Sequence, residues 1–169
     1  MNSETKEIGL LFEKGVRLLS ENIAYGTELI KPTLFHSIRV GTYLYQNGYS
    51  KNTILAGLLH DLLEDTEITA KYLRQEFGEK VTFYVIANSK NEQITDKQEQ
   101  IQDMMKRSCL DKNAAIIKAV DLTDNIQYYT QAKDLERLQI CKERASIFLD
   151  HLGTTYEDKV FNSLHNLLR

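Results

Sequence analysis

Residues 53–66 read Thr-Ile-Leu-Ala-Gly-Leu-Leu-His-Asp-Leu-Leu-Glu-Asp-Thr. Ile54, Leu55, Leu58, Leu59, Leu62 and Leu63 recur at one-turn spacing, the stripe by which an amphipathic helix meets a core. The stripe leaves out His60, Asp61, Glu64 and Asp65. His60 and Glu64 are four apart, as are Asp61 and Asp65, so a helix projects all four from adjoining turns. Gly57, one turn earlier, is expected to leave space beside them. The stretch predicts a helical protein with a compact face of imidazole and carboxylate.

Outward from this segment the same periodicity continues. Helices are expected near residues 5–21, 33–47, 51–64, 69–77, 79–89, 96–108, 112–131, 134–152 and 156–167, and no segment alternates in the manner of strands. Lys31-Pro32-Thr33 marks a helix start, because proline fits the first turn, and Asn47-Gly48 marks a stop, because glycine tolerates a left-handed cap. Ser50 is placed to cap the next helix, and Gly78 and Gly153 punctuate later boundaries. The fold expected is all-α, one helical bundle spanning residues 1–169 as a single domain.

Composition agrees and narrows the function. Apolar residues make up 42% and charged residues 27% of 169, as in a globular chain that buries a core without disulfides. Apolar runs such as Ile54–Leu59 fall well short of the roughly 20 residues that span a bilayer, so no membrane association is expected. The opening Met-Asn-Ser-Glu-Thr-Lys-Glu lacks the basic and apolar regions of a secretory signal, which points to the cytoplasm. Cys109 and Cys141 have no ligand-like spacing and read as two reduced thiols near the core. A net charge of −3 argues against nucleic-acid binding. An anionic substrate would then need a metal to supply local positive field.

A His-Asp pair alone says little, so its surroundings decide. Asp121 sits in Ala114-Ala-Ile-Ile-Lys-Ala-Val-Asp-Leu, apolar enough for its helix to be packed on most sides. A carboxylate buried there needs a cation, which is either Lys118, three residues earlier, or a metal ion. His36 lies among Leu34, Phe35, Ile38 and Val40, where a histidine is either a hydrogen-bonded core residue or a ligand. Taken together, two imidazoles and two carboxylates from three helices form a mixed N/O set suited to Mn²⁺, Fe²⁺ or Zn²⁺. A divalent ion lowers the pKa of bound water and polarises a phosphoryl oxygen, and Glu64 and Asp65 are placed to orient that water and take its proton. Asn125, one turn after Asp121, offers a donor and an acceptor to a substrate, and Tyr128 or Tyr129 is placed to stack a base.

At these residues the chain resembles the HD superfamily of metal-dependent phosphohydrolases, and more narrowly the hydrolase domain of RelA/SpoT-type alarmone enzymes and their small stand-alone relatives. The resemblance covers roughly residues 30–130. It is carried by His36, by Leu58-Leu-His-Asp-Leu-Leu-Glu-Asp-Thr, by Phe77-Gly-Glu-Lys-Val, and by Lys118-Ala-Val-Asp-Leu-Thr-Asp-Asn. It implies His36, His60, Asp61 and Asp121 as ligands of one Mn²⁺, Glu64 and Asp65 as water-activating carboxylates, and Asn125 as a nucleotide contact. The implied reaction is removal of the 3′-pyrophosphate of (p)ppGpp.

The departures from that pattern all remove positive charge. The basic approach that the family carries shortly before its first histidine is missing from Tyr25-Gly-Thr-Glu-Leu-Ile-Lys-Pro-Thr-Leu-Phe-His36. Gln102 and Asp103 stand where the family has basic residues, and Leu122 and Asp124 stand where it usually has Arg and His. Lys31, Arg39, Lys90, Lys97 and Lys118 are the available replacements, with Arg39 favoured because it lies one turn beyond His36. Fewer cations imply a less phosphorylated substrate unless these compensate. The leading expectation is hydrolysis of an alarmone-like nucleotide. The runner-up is another phosphorylated nucleotide, such as a dinucleotide cofactor of the NADPH type. A nucleotide-binding module without turnover is the competing class, and Glu64 with Asp65 argues against it. Residues 134–169 offer helical surface for a homo-oligomer.

Overall fold

Pro32 and Gly48 bracket the helix that carries His36, as their backbone preferences require. The computed structural model describes residues 3–23 and 31–169. In it, α2 runs Thr33–Gln46 behind Pro32, and the chain leaves it through Asn47 and Gly48, whose φ is +72°. The Ser50 hydroxyl then accepts from the Thr53 amide at 3.3 Å and opens α3, Lys51–Leu59. These flank α1 (Ser3–Asn22) before them and α4 (Leu62–Asp65), α5 (Ala70–Phe77) and α6 (Glu79–Asn88) after them. Tyr25-Gly-Thr-Glu-Leu-Ile of the approach to His36 lies outside the described residues.

These six helices form one compact unit, Met1–Ser89, with α3 packed against α1, α2 and α6. A β-carbon on Gly41 would press on Phe12 and on the Leu58 backbone, and one on Gly57 would overlap Leu44. The two glycines therefore let α2 and α3 approach closely. The space expected beside His60 at Gly57 is instead filled by Leu44 and Val40.

The second compact unit, Lys90–Arg169, holds α7 (Lys97–Ser108), α8 (Lys112–Ala132), α9 (Leu135–Leu152) and α10 (Lys159–Leu167). Side-chain caps set its boundaries: Asp96, Asp111, Asp134 and Asp158 each accept from a backbone amide in the first turn of the helix that follows. Every residue from Ala114 to Leu122 on α8 is buried, because α7, α9 and α10 all pack on that helix. The apolar reading of this stretch is thus borne out. The described residues contain helices and no strands, so the fold is all-α as expected.

One boundary differs from the expected 51–64 helix. It is interrupted at His60 and Asp61, and Asp61 takes φ −90° and ψ −5°. That is the sparsely allowed bridge region, in which active-site residues are often found. The carbonyl of Gly57, one turn back, accepts from the His60 ring rather than serving only the backbone ladder. Asp61 then starts a fresh turn, its carbonyl accepting from the amides of Glu64 at 3.1 Å and Asp65 at 3.0 Å.

Candidate metal centre

In the first unit, α2 delivers His36 and the α3–α4 break delivers His60 and Asp61. Both histidines are essentially without solvent exposure. A carbonyl oxygen only accepts, so the 2.8 Å contact between His60 Nδ1 and the Gly57 oxygen makes Nδ1 the protonated nitrogen. The Nε2 lone pair of His60 is thereby presented toward His36, whose own Nε2 stands 3.2 Å away. Two nitrogen ligands about 2.0–2.1 Å from one ion, at angles of about 90–110°, stand about 2.9–3.4 Å apart. The donor set and its spacing fit a divalent cation, and in its absence the same spacing suits an N–H···N bond.

Asp61 adds oxygen donors to this pair. Its Oδ1 lies 3.2 Å from His60 Nε2 and its Oδ2 3.7 Å from His36 Nε2. Lys31 reaches the same carboxylate, Nζ to Oδ2, at 3.8 Å. Burial works against ionisation of Asp61, but the His60 ring in its protonated form first, then Lys31 and His36, outweigh it and hold the carboxyl well below the usual range. Glu64 and Asp65 follow on α4. Partial desolvation, then the Asp61 and Glu64 carboxylates, push Asp65 the other way, above 3.8. Perturbed carboxylates of this kind cluster at functional sites.

In the second unit, α8 places Lys118, Asp121, Asn125 and Tyr128 at successive one-turn steps. Asp121 is 7% exposed. Lys118 Nζ donates to its Oδ2 at 3.0 Å, and Asn125 Nδ2 donates to its Oδ1 at 2.6 Å. The ion pair weighed from the sequence therefore exists. It does not exhaust a carboxylate, which has about four acceptor sites. His36, His60 and Asp121 are each buried and each offer an atom of a kind that holds a metal ion.

The remaining sequence-derived positions are spread more widely. Arg39 stacks its guanidinium over the Phe35 ring, 4.3 Å from the centroid, and Phe35 is 58% exposed. Phe35 is one of the apolar neighbours that the sequence sets around His36, and the Phe-x-x-x-Arg spacing is the signal for this pair. Lys90 is exposed at the start of the second unit. Tyr128 packs edge-on against Tyr129, with centroids 5.2 Å apart. On α7, Gln102 bonds His151 at 2.9 Å and Asp103 pairs with Arg107 at 2.6 Å. Arg107 is a cation that the sequence reading passed over. Neither Cys109 nor Cys141 forms a disulfide, and burial pushes Cys109 up to about 11, which leaves it unreactive near neutral pH.

A family model for the HD domain matches residues 22–152. The guanosine-3′,5′-bis(diphosphate) 3′-pyrophosphohydrolase of Aquifex aeolicus is 31% identical over 121 residues, which is 70% of this chain and 17% of that protein. The Haemophilus influenzae protein of the same name is 27% identical over 149 residues, 80% of this chain and 22% of its own length. The chain thus spans about a fifth of the curated relatives it matches. Among solved structures, one described as a metazoan ortholog of SpoT that hydrolyzes ppGpp superposes with a TM-score of 0.77 at 20% identity, covering 100% of this chain and 96% of that one. The lmo0812 protein of Listeria monocytogenes gives 0.68 at 19% identity, covering 85% and 97%. These two likenesses concern the fold.

Proposed function

The chain belongs to the HD domain family, and on that footing we propose that it is a metal-dependent phosphohydrolase acting on a nucleotide, with (p)ppGpp 3′-pyrophosphate hydrolysis as its reaction. The observation that carries this is the pair of buried imidazoles whose Nε2 atoms face each other at 3.2 Å beside the Asp61 carboxylate. His36, His60 and Asp61, completed by Asp121, hold one divalent ion, with Mn²⁺ favoured and Fe²⁺ or Zn²⁺ fitting the same donors. When bound, the ion lowers the pKa of water and polarises a phosphoryl oxygen.

The protein's own groups do the rest. Asp61 stays ionised beside the imidazoles. Glu64 and Asp65 orient the attacking water and accept its proton. The water oxygen joins phosphorus as the bond to the 3′ oxygen breaks, and that oxygen takes up the proton the carboxylates accepted, releasing pyrophosphate and a 3′ hydroxyl. Asn125 offers hydrogen bonds to the nucleotide and Tyr128 a face for the base, while Lys31, Arg39 and Lys90 meet phosphate charge. A substrate of this class places the reaction in the cytoplasm. No described helix is long and apolar enough to cross a membrane.

A second substrate class has its own support. Asp103 neutralises Arg107, and Gln102 is taken up by His151. Both positions lie where the resembled family has cations, which favours a nucleotide with fewer phosphates or a dinucleotide cofactor. The experiment is release of phosphate and pyrophosphate from ppGpp, pppGpp, NADPH and common nucleotides, with Mn²⁺ and with chelator. Mn²⁺-dependent pyrophosphate from ppGpp supports the first reading, and turnover confined to the others supports the second. No turnover on any of them overturns the enzymatic reading.

A further inference from the structure

Lys118 is 3% exposed, at the seventh residue of a helix whose neighbouring positions are all buried. A surface lysine extends its ammonium to water, but the burial of residues 114–122 denies Lys118 that route. A buried ammonium is retained only where it is paired and hydrogen-bonded. Its ammonium donates to Asp121 Oδ2 at 3.0 Å and to the Met104 Sδ of α7 at 3.8 Å. The thioether is a weak acceptor, so the carboxylate is the stronger partner.

Asp121 is consequently gripped from both ends of its carboxylate. Lys118 lies three residues before it and holds Oδ2, and Asn125 lies four residues after it and holds Oδ1. Both grips come from the same helix, so α8 itself restrains the plane of the carboxylate. Outer donors of this kind orient a ligand before the ion arrives, and losing one typically costs about 10–100-fold in metal affinity.

We infer that Lys118 is a positioning residue of the metal centre, which acts through Asp121 and touches neither the ion nor the substrate. The inference rests on Asp121 being a ligand. Removing the ammonium lets the carboxylate rotate, and the ion then bears the cost of ordering it.

The test is calorimetric titration of Mn²⁺ into the metal-stripped full chain, at a temperature where circular dichroism shows each variant folded. Lys118→Met, which keeps most of the buried stem, is expected to bind Mn²⁺ about 10–100-fold more weakly. In an Asp121→Asn background the same substitution is expected to change nothing further, because a residue acting only through Asp121 has no second route. Lys118→Gln, which keeps a polar end without the charge, is measured in parallel with about a tenfold loss expected. Unchanged or tighter Mn²⁺ binding in either variant, while Asp121→Asn weakens it, overturns the role of Lys118 and leaves the ligand assignment standing. Unchanged binding in Asp121→Asn overturns that assignment itself. The glutamine variant decides the question if the methionine variant does not fold.

Discussion

His60 gives its Nδ1 proton to the carbonyl of Gly57 at 2.8 Å, and so turns a bare Nε2 toward His36. A backbone oxygen one turn away thus selects the tautomer that a metal needs. His60→Ala removes both the ligand and the side chain that occupies Gly57's carbonyl. It is expected to abolish bound Mn²⁺, measured by elemental analysis, together with pyrophosphate release, as is Asp61→Ala. A variant of either kind that hydrolyses normally would sink the assignment.

Glu64 sits on α4, behind the break that isolates His60 and Asp61. Its proposed task is proton transfer rather than ligation, so the two functions should separate. Glu64→Gln is expected to retain metal at wild-type stoichiometry and to lose about 10²–10⁴-fold in kcat, the usual contribution of a positioned base. Joint loss of metal and turnover would instead make Glu64 a ligand.

Gly57 does its work through what it lacks. A methyl group there would overlap Leu44 and crowd Val40 at 3.4 Å. Gly57→Ala is expected to lower unfolding stability by about 1–3 kcal/mol, the usual cost of overpacking a tight contact, with the urea m-value unchanged. Because its carbonyl also orients His60, Mn²⁺ affinity should fall as well. A variant of wild-type stability would mean that α2 and α3 separate at no cost.

Asp65 gives a pH signature. In the folded protein desolvation, Asp61 and Glu64 raise its pKa above 3.8, so the ionised form is disfavoured by folding. The resulting cost is absent below the unfolded pKa and grows as pH rises through the folded one. Asp65→Asn should therefore raise the melting temperature of the metal-free protein at pH 7, with the gain vanishing below about pH 4. A gain of equal size at both pH values would mean that charge is not its source.

Much of this was legible because the informative residues act locally. Pro32, Gly48, Ser50 and Gly78 mark boundaries through their own backbone chemistry, and the structure places helix ends beside them. The apolar run around Asp121 declared its burial, since nothing in it prefers water. The break at His60 was hidden because Leu58, Leu59, Leu62 and Leu63 keep helical spacing across it, while the cause is a ring nitrogen meeting a carbonyl. Gly57 was misread for a related reason. Its neighbours are Val40 and Leu44 of another helix, which spacing along α3 does not reveal. Lys118 and a metal ion were alternatives for Asp121 at the level of sequence. A carboxylate with two oxygens has room for both.

Charge on α7 should tune substrate choice. Asp103 and Arg107 are four residues apart, each about a quarter exposed, and joined at 2.6 Å, so the guanidinium is cancelled where it stands. Met104, between them, touches Lys118, one turn from Asp121, which puts this pair on a helix packed beside the proposed ligand. Asp103→Asn removes the carboxylate and leaves Arg107 its full charge. The expected result is a several-fold rise in kcat/KM for ppGpp relative to a nucleotide with one phosphate group, and a steeper loss of that advantage with added salt, because salt screens the attraction of a partly exposed guanidinium for phosphate. Arg107→Gln in the same background should return the ratio to its starting value. If Asp103→Asn leaves the ratio unchanged at low salt, α7 takes no part in reading phosphate, and that recognition falls to Lys31, Arg39 and Lys90.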